Sequence, residues 1–280
     1  MSIAPPDRGD PRPIGVFDSG VGGLTVARAL MDLLPDERIV YFGDTARGPY
    51  GPRALDEVRT FTTEAVGWLA RADVKLAVAA CNTATAAAVE TGATAFPVPV
   101  VGVIAPAVAA AVRATRNGRV GVIGTEGTIA SCAYDRAVAE RAPDVKLLSQ
   151  ACPRFVELVE GGRTTDPEVL AVAADYLAPL VAGDVDTLVL GCTHYPLLTG
   201  VLAHLLGPGV VLVSSAEETA RRVFSDLVTR GWLAPPGTGG HRFVSSGDRD
   251  AFARLATRFL GPRLRPADVV ALGWEGPCGR

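Results

Sequence analysis

Two cysteines, Cys81 and Cys192, each stand where an apolar run breaks into a polar turn, in LAVAACNTATA (76–86) and TLVLGCTHYPLL (187–198). A thiol at the C-terminal end of a strand, just ahead of a helix N-terminus, meets the helix dipole and free N–H groups that favour the thiolate. One such cysteine is a nucleophile candidate. Two in parallel settings suggest a symmetric pair, one removing a proton and the other supplying it. Asn82, Thr83 and Thr85 follow Cys81 at once, a polar cluster that a merely structural strand end does not require. Thr193 and His194 follow Cys192, and Tyr195-Pro196 open the next helix. Cys132, placed within a helix SCAYDRAVAE, and Cys152, ahead of the helix opener Pro153, read as structural; Cys278 in the tail reads as an incidental exposed thiol.

Other chemistries fit less well. The glycines of FDSGVGGLTV (17–26) invite a dinucleotide fingerprint, yet the frame from Gly20 ends on Thr25 where Gly or Ala is needed. The same glycines suit close approach of backbone N–H groups to a small anion such as a carboxylate, with Asp18 and Ser19 pointing into that crevice. Pyridoxal phosphate needs a Schiff-base lysine, and the only two, Lys75 and Lys146, open strands at the end away from where sites form. Cys192 and His194 give a C-x-H pair without a second ligand pair, so no metal site is expected. Thr125 and Thr128 in GTEGT cap a helix and could also meet a carboxylate. Glu157 and Glu160 fall on a short helix, and one of them could support His194.

The elements that must position these residues alternate strand-length apolar runs with amphipathic stretches. Runs at 14–18, 38–44, 74–81, 98–104, 119–125, 145–151, 186–192, 210–215 and 241–247 predict nine strands in an α/β fold with parallel sheets covered on both faces. Nine strands suit two doubly wound domains. A weak echo between IGVFDSGVGGLTVARAL (14–30) and VGVIGTEGTIASCAYDRAV (120–138) supports duplication, since a cysteine strand follows each at similar distance. Boundaries near Ile104-Ala105-Pro106 and Ser214-Ser215 predict a first domain of 13–104 plus 216–272 and a second of 105–215. Residues 1–12 and 273–280 are expected to be disordered tails.

Composition narrows the class further. The 280 residues are 48% hydrophobic, which suits a compact chain able to bury two cores. Lys and Arg total 27 against 30 Asp and Glu, a net charge of -3 that advertises neither nucleic acid nor an anionic membrane. The polar, Pro-rich N-terminus lacks a signal-peptide core and no stretch approaches membrane-span length, so a cytoplasmic protein is expected. Five widely spaced cysteines do not form a disulfide framework.

Taken together, FDSGVGGLTV, YFGDTARGPYG, ACNTATA, GVIGTEGT, CPRFVELVE, LGCTHYPLL and SSGD resemble the motifs of the glutamate racemases, over Ile14 to Asp248. The resemblance implies a cofactor-independent, metal-free enzyme of two similar α/β domains related by pseudo-twofold symmetry, with the site in the cleft between them and a homodimer as the usual assembly. It implies Cys81 and Cys192 as the catalytic thiols, with Asp18 assisting the first and His194 the second. Ser19, Pro49, Tyr50, Gly51, Asn82, Thr83, Thr125, Thr128 and Thr193 match substrate-contacting positions, as do Asp18 and His194, while Asp44 and Glu160 match acidic residues of lesser role. The product, D-glutamate, would serve peptidoglycan synthesis and so cell shape. Rival readings are another amino-acid or hydantoin racemase, an interaction protein that binds DNA gyrase, and a cysteine hydrolase using Cys192 and His194, which would have no need of Cys81.

Overall fold

A computed structural model describes residues 9–92, 94–261 and 268–271. Within them the apolar runs become ten parallel strands: β1 Ile14–Asp18, β2 Ile39–Gly43, β3 Leu76–Ala79, β4 Val100–Gly102, β5 Arg119–Gly124, β6 Lys146–Ala151, β7 Thr187–Gly191, β8 Val211–Ser214, β9 His241–Ser245 and β10 Val269–Ala271. They form two sheets. One runs β10-β9-β2-β1-β3-β4 and the other β6-β5-β7-β8, so β2-β1-β3-β4 and β6-β5-β7-β8 repeat one order. That repeat is the structural counterpart of the sequence echo, and it puts β3 and β7, the two cysteine strands, in equivalent places. Strand β7 is buried at all five positions and β1 likewise, as central parallel strands covered by helices on both faces must be.

Helices between the strands bury one stripe each. In the helix Leu55–Arg71, Val58, Thr62, Ala65, Val66 and Leu69 face inward at three- and four-residue spacing, with Asp56 and Glu57 in the first turn and Arg71 in the last. The helix Ser215–Arg230 buries Ala216, Thr219, Ala220, Val223 and Leu227 and joins the helix Leu24–Leu33 in one large core. It also returns the chain from the second sheet to the first, since β9 pairs with β2.

Three expectations change. Strand β10 was not expected: three residues following a Pro- and Arg-rich stretch carry too little pattern, and its partner β9 supplies the reason it forms. Residues 9–12 are not a loose tail, because Lys75 Nζ donates to the Asp10 carbonyl at 2.9 Å and Arg12 pairs with Asp10. The remaining tail expectations, Cys278 included, lie outside the described residues. Cys132 is not inside a helix. It is exposed at φ 51° between the helices Glu126–Ala130 and Ala133–Arg141, because Ser131 Oγ bonds the Thr128 carbonyl and accepts from Ala133 N–H, ending one helix and starting the next.

Lys75 is a structural lysine. Its ammonium lies 2.6 Å from Glu37 with both side chains almost wholly buried, and it also donates to the Trp232 carbonyl at 2.7 Å. Glu37 in turn accepts from Ala234 N–H, so the pair ties the start of β3 to the segment leading into β9. Lys75→Met is expected to cost about 3–5 kcal/mol by stranding the Glu37 carboxylate. Urea unfolding checks this, and a cost under about 1 kcal/mol would contradict it.

Candidate active site

Cys81 and Cys192 line one cavity of about 290 Å³, a volume near the low end of small-molecule sites, roughly 300–1,000 Å³. Each follows the last residues of its strand and is 6% exposed. Ser19, Pro49, Tyr50, Gly51, Asn82, Thr83, Thr125, Thr193, His194 and Glu160 share the wall, so the β1, β2, β3, β5 and β7 ends all converge there. The lining adds Pro52, Glu126, Pro153 and Val156, which had no clear signal in the sequence, and Glu157; of the two glutamates read as a support for His194, Glu160 is the one that meets it. Among the described residues, no lysine or arginine lines the cavity. Hydroxyls, the Asn82 amide and the His194 ring are the side-chain groups there that can donate to an anionic ligand.

The thiols sit in unlike surroundings. Burial is the main influence on Cys81, the negative charge of Asp18 adds to it, and together they push the thiol up to about 12. The Ala84 N–H at the helix start and Ser19, 3.7 Å away, pull in the other direction and lose. The expectation that a helix N-terminus would favour the thiolate is thus corrected at Cys81: desolvation outweighs one N–H bond. Cys192 Sγ instead lies 3.8 Å from His194 Nδ1, and His194 Nε2 lies 3.0 Å from Glu160 Oε1. Burial alone would lower the imidazole, but the bonds to Cys192 and Glu160, with the charges of Cys192 and Asp18, raise it to about 10. An imidazolium therefore stands beside Cys192, held edge-on by the Phe259 ring at 5.6 Å.

Two expected contact residues lie behind the wall. Asp18 is fully buried and outside the cavity lining; its carboxylate accepts from Gly20 N–H at 2.9 Å and faces Thr193 Oγ1 at 3.5 Å. The small anion expected at the glycine turn is this carboxylate of the chain itself. Burial raises its pKa, with His194 and the Gly23 and Gly20 N–H groups opposing. Asp18 also reaches toward both thiols, since it acts on Cys81 and bonds the neighbour of Cys192. Gly22 is needed for packing: a Cβ there would fall 2.3 Å from Thr193 Oγ1 and 2.5 Å from the His194 ring. Thr128 is the second residue behind the wall, bonded to Thr83 at 3.1 Å and Thr125 at 3.0 Å. Thr125 caps its helix, accepting from Thr128 N–H.

Contacts between the two units frame the cleft. Thr83 meets Thr125 at 3.0 Å, Gly127 N–H donates to the Gly51 carbonyl at 2.9 Å, and Thr25 Oγ1 donates to the Thr193 carbonyl at 3.1 Å. Asp44, buried beside the cavity, holds the 44–51 loop: it accepts from Tyr50 O–H, from Arg47 Nε at 2.7 Å and from Ser246 Oγ at 2.8 Å. Arg258 donates to the Glu160 carbonyl at 2.9 Å and so steadies the helix end that carries the partner of His194.

The family model of Asp/Glu/hydantoin racemases matches residues 24–223. A glutamate racemase of Parafrankia sp. (strain EAN1pec) is 53% identical over 263 residues, covering 92% of this chain and 94% of that protein. The crystal structure of a glutamate racemase isoform from Bacillus anthracis superposes with a TM-score of 0.89 at 42% identity, over 94% of this chain and 98% of that one. A glutamate racemase from Francisella tularensis, solved in complex with D-glutamate, gives 0.85 at 33% identity over 94% and 98%. Among the described residues, no helix is long and apolar enough to cross a membrane. With its repeated parallel sheets and its paired thiols in one cleft, the chain belongs to the Asp/Glu/hydantoin racemase family, as one of its glutamate racemases.

Proposed function

We propose that the chain interconverts L- and D-glutamate without cofactor or metal, by a two-base mechanism with Cys81 and Cys192 as the two bases. The units 13–104 plus 216–272 and 105–215 are read as the two walls, and the assembly as a homodimer. The observation that carries this reading is two free thiols, from equivalent strand ends of a repeated unit, lining one small cavity. The D-glutamate held by the Francisella relative supports glutamate as the substrate.

In one direction the Cys192 sulfur, beside the His194 imidazolium, takes the proton from Cα. The C–H electron pair passes into the α-carboxylate, and the Cys81 thiol delivers its proton to the opposite face, leaving Cys81 as thiolate. The reverse reaction exchanges the roles. The difficulty is the weak acidity of Cα, which demands hydrogen bonds to the carboxylate as charge develops and exclusion of water. The buried hydroxyls of Thr83 and Thr193 and the Asn82 amide suit that task. Asp18, bonded across to Thr193, shapes both halves rather than one.

Formation of D-glutamate would feed peptidoglycan synthesis in the cytoplasm. Polarimetry on L-glutamate with chelator-dialysed protein and no additive tests the reading: the rotation is expected to decay to zero. Decay that vanishes on dialysis and returns with a metal, or a marked preference for aspartate or a hydantoin, would overturn it. Gyrase binding rests on the sequence resemblance alone and is a separate proposal, which a supercoiling assay with Cys81→Ser divides from catalysis.

A further inference from the structure

Asn82 lines the cavity directly after Cys81, yet it is only 2% exposed. Its side-chain oxygen accepts the phenolic O–H of Tyr134 at 2.7 Å, while its amide nitrogen, equally shielded, has no hydrogen-bond partner. Buried donors are rarely left so, because the lost hydration is not recovered. Tyr134 is 1% exposed and lies in the first turn of the helix Ala133–Arg141 of the second unit, so the bond ties the cavity wall at Asn82 to the other unit.

The tyrosine decides which way the amide faces. An asparagine side chain presents an acceptor and a donor of almost equal shape, and its partner chooses between them. Burial raises the Tyr134 phenol well clear of neutrality, so its hydrogen is retained and needs an acceptor. Asn82 Oδ1 is the acceptor within reach. Turning the amide over would strand that hydrogen. The NH₂ is therefore the end left for the ligand; glutamate offers its carboxylates as acceptors, and of these the α-carboxylate is bonded to the carbon that Cys81, the residue next to Asn82, is proposed to serve.

We propose that Tyr134 is a positioning residue for glutamate turnover: it holds Asn82 Oδ1 so that Nδ2 donates to the α-carboxylate, where negative charge accumulates as the proton leaves Cα. The inference rests on the racemase reading above. Because the bond strengthens in the transition state, it acts more on kcat than on KM.

Tyr134→Phe, which removes only the hydroxyl, is expected to lower kcat by about tenfold while KM moves less than about threefold. In an Asn82→Ala background the same change should add no further loss. Asn82→Asp keeps an acceptor for Tyr134 and the same volume but turns an oxygen toward the substrate; it should lower kcat/KM by more than about 100-fold. This second variant carries the test even where Tyr134→Phe folds poorly, which a thermal melt reveals. Wild-type kcat and KM in Tyr134→Phe, an equal loss in both backgrounds, or near-normal Asn82→Asp would overturn the inference while wild-type turnover leaves the racemase reading standing. A wild-type protein that does not racemise glutamate would remove both.

Discussion

Replacing either Cys81 or Cys192 by serine is expected to abolish glutamate racemisation in both directions, lowering kcat by roughly 10²–10⁴-fold or more. Inversion needs a base on one face of Cα and an acid on the other, so neither thiol can be spared. A free thiol titrates near 8.5, within reach of neutrality, whereas a hydroxyl gives up its proton far less readily. The substitution is otherwise mild. Serine fits the space of a cysteine that is 6% exposed, and it stays beside Ser19 at position 81 or His194 at position 192. The folded state should therefore survive, as a melt would check. Each variant should retain slow exchange of the Cα hydrogen for the one enantiomer whose hydrogen faces the surviving thiol. A serine variant that still inverts glutamate at more than a tenth of the wild-type rate would refute a two-thiol mechanism.

His194→Asn is expected to lower kcat by roughly 10- to 100-fold, the range for losing a hydrogen bond from a charged group. The imidazolium lies 3.8 Å from Cys192, and its charge is held by the bonds to Cys192 and to Glu160. Its titration also sets a pH dependence. The folded-state value of about 10 lies above the ordinary 6.5, so the stability supplied by the charged imidazole is complete below about 6.5 and is lost as pH rises through about 10. Turnover with Cys192 as base should fall over the same rise, while Cys81, pushed up to about 12, keeps its proton. His194→Asn should lack that alkaline limb, and Glu160→Gln should move it to lower pH by removing one of the groups that hold the charge. An unchanged limb in both variants would assign it to another group.

The two cysteine strands were legible because β3 and β7 are buried on both faces and end in short polar turns, a pattern that needs no tertiary information. The cleft between them was legible only through the motif resemblance. Asp18 shows where local reading stops: a glycine-rich turn before a helix predicts an anion, but not that the anion is the aspartate two residues upstream, bonded across the cleft to Thr193. Cys132 fails for a different reason. The helical pattern from Thr128 to Arg141 is continuous by composition, and the break comes from Ser131 competing for backbone partners at a single residue. Tyr134 gave no signal, since its value lies in the amide it meets from the other unit. Strand β10 exists only because β9 offers it an edge.

The most direct test follows L-glutamate in heavy water by mass spectrometry and chiral separation at low conversion, with wild-type protein and nothing added. Two opposed thiols predict that newly formed D-glutamate carries one deuterium at Cα, delivered by a sulfur that has equilibrated with solvent, while the remaining L-glutamate stays largely unlabelled. D-glutamate that retains the substrate's own hydrogen would mean one base acting on both faces, and would contradict the account.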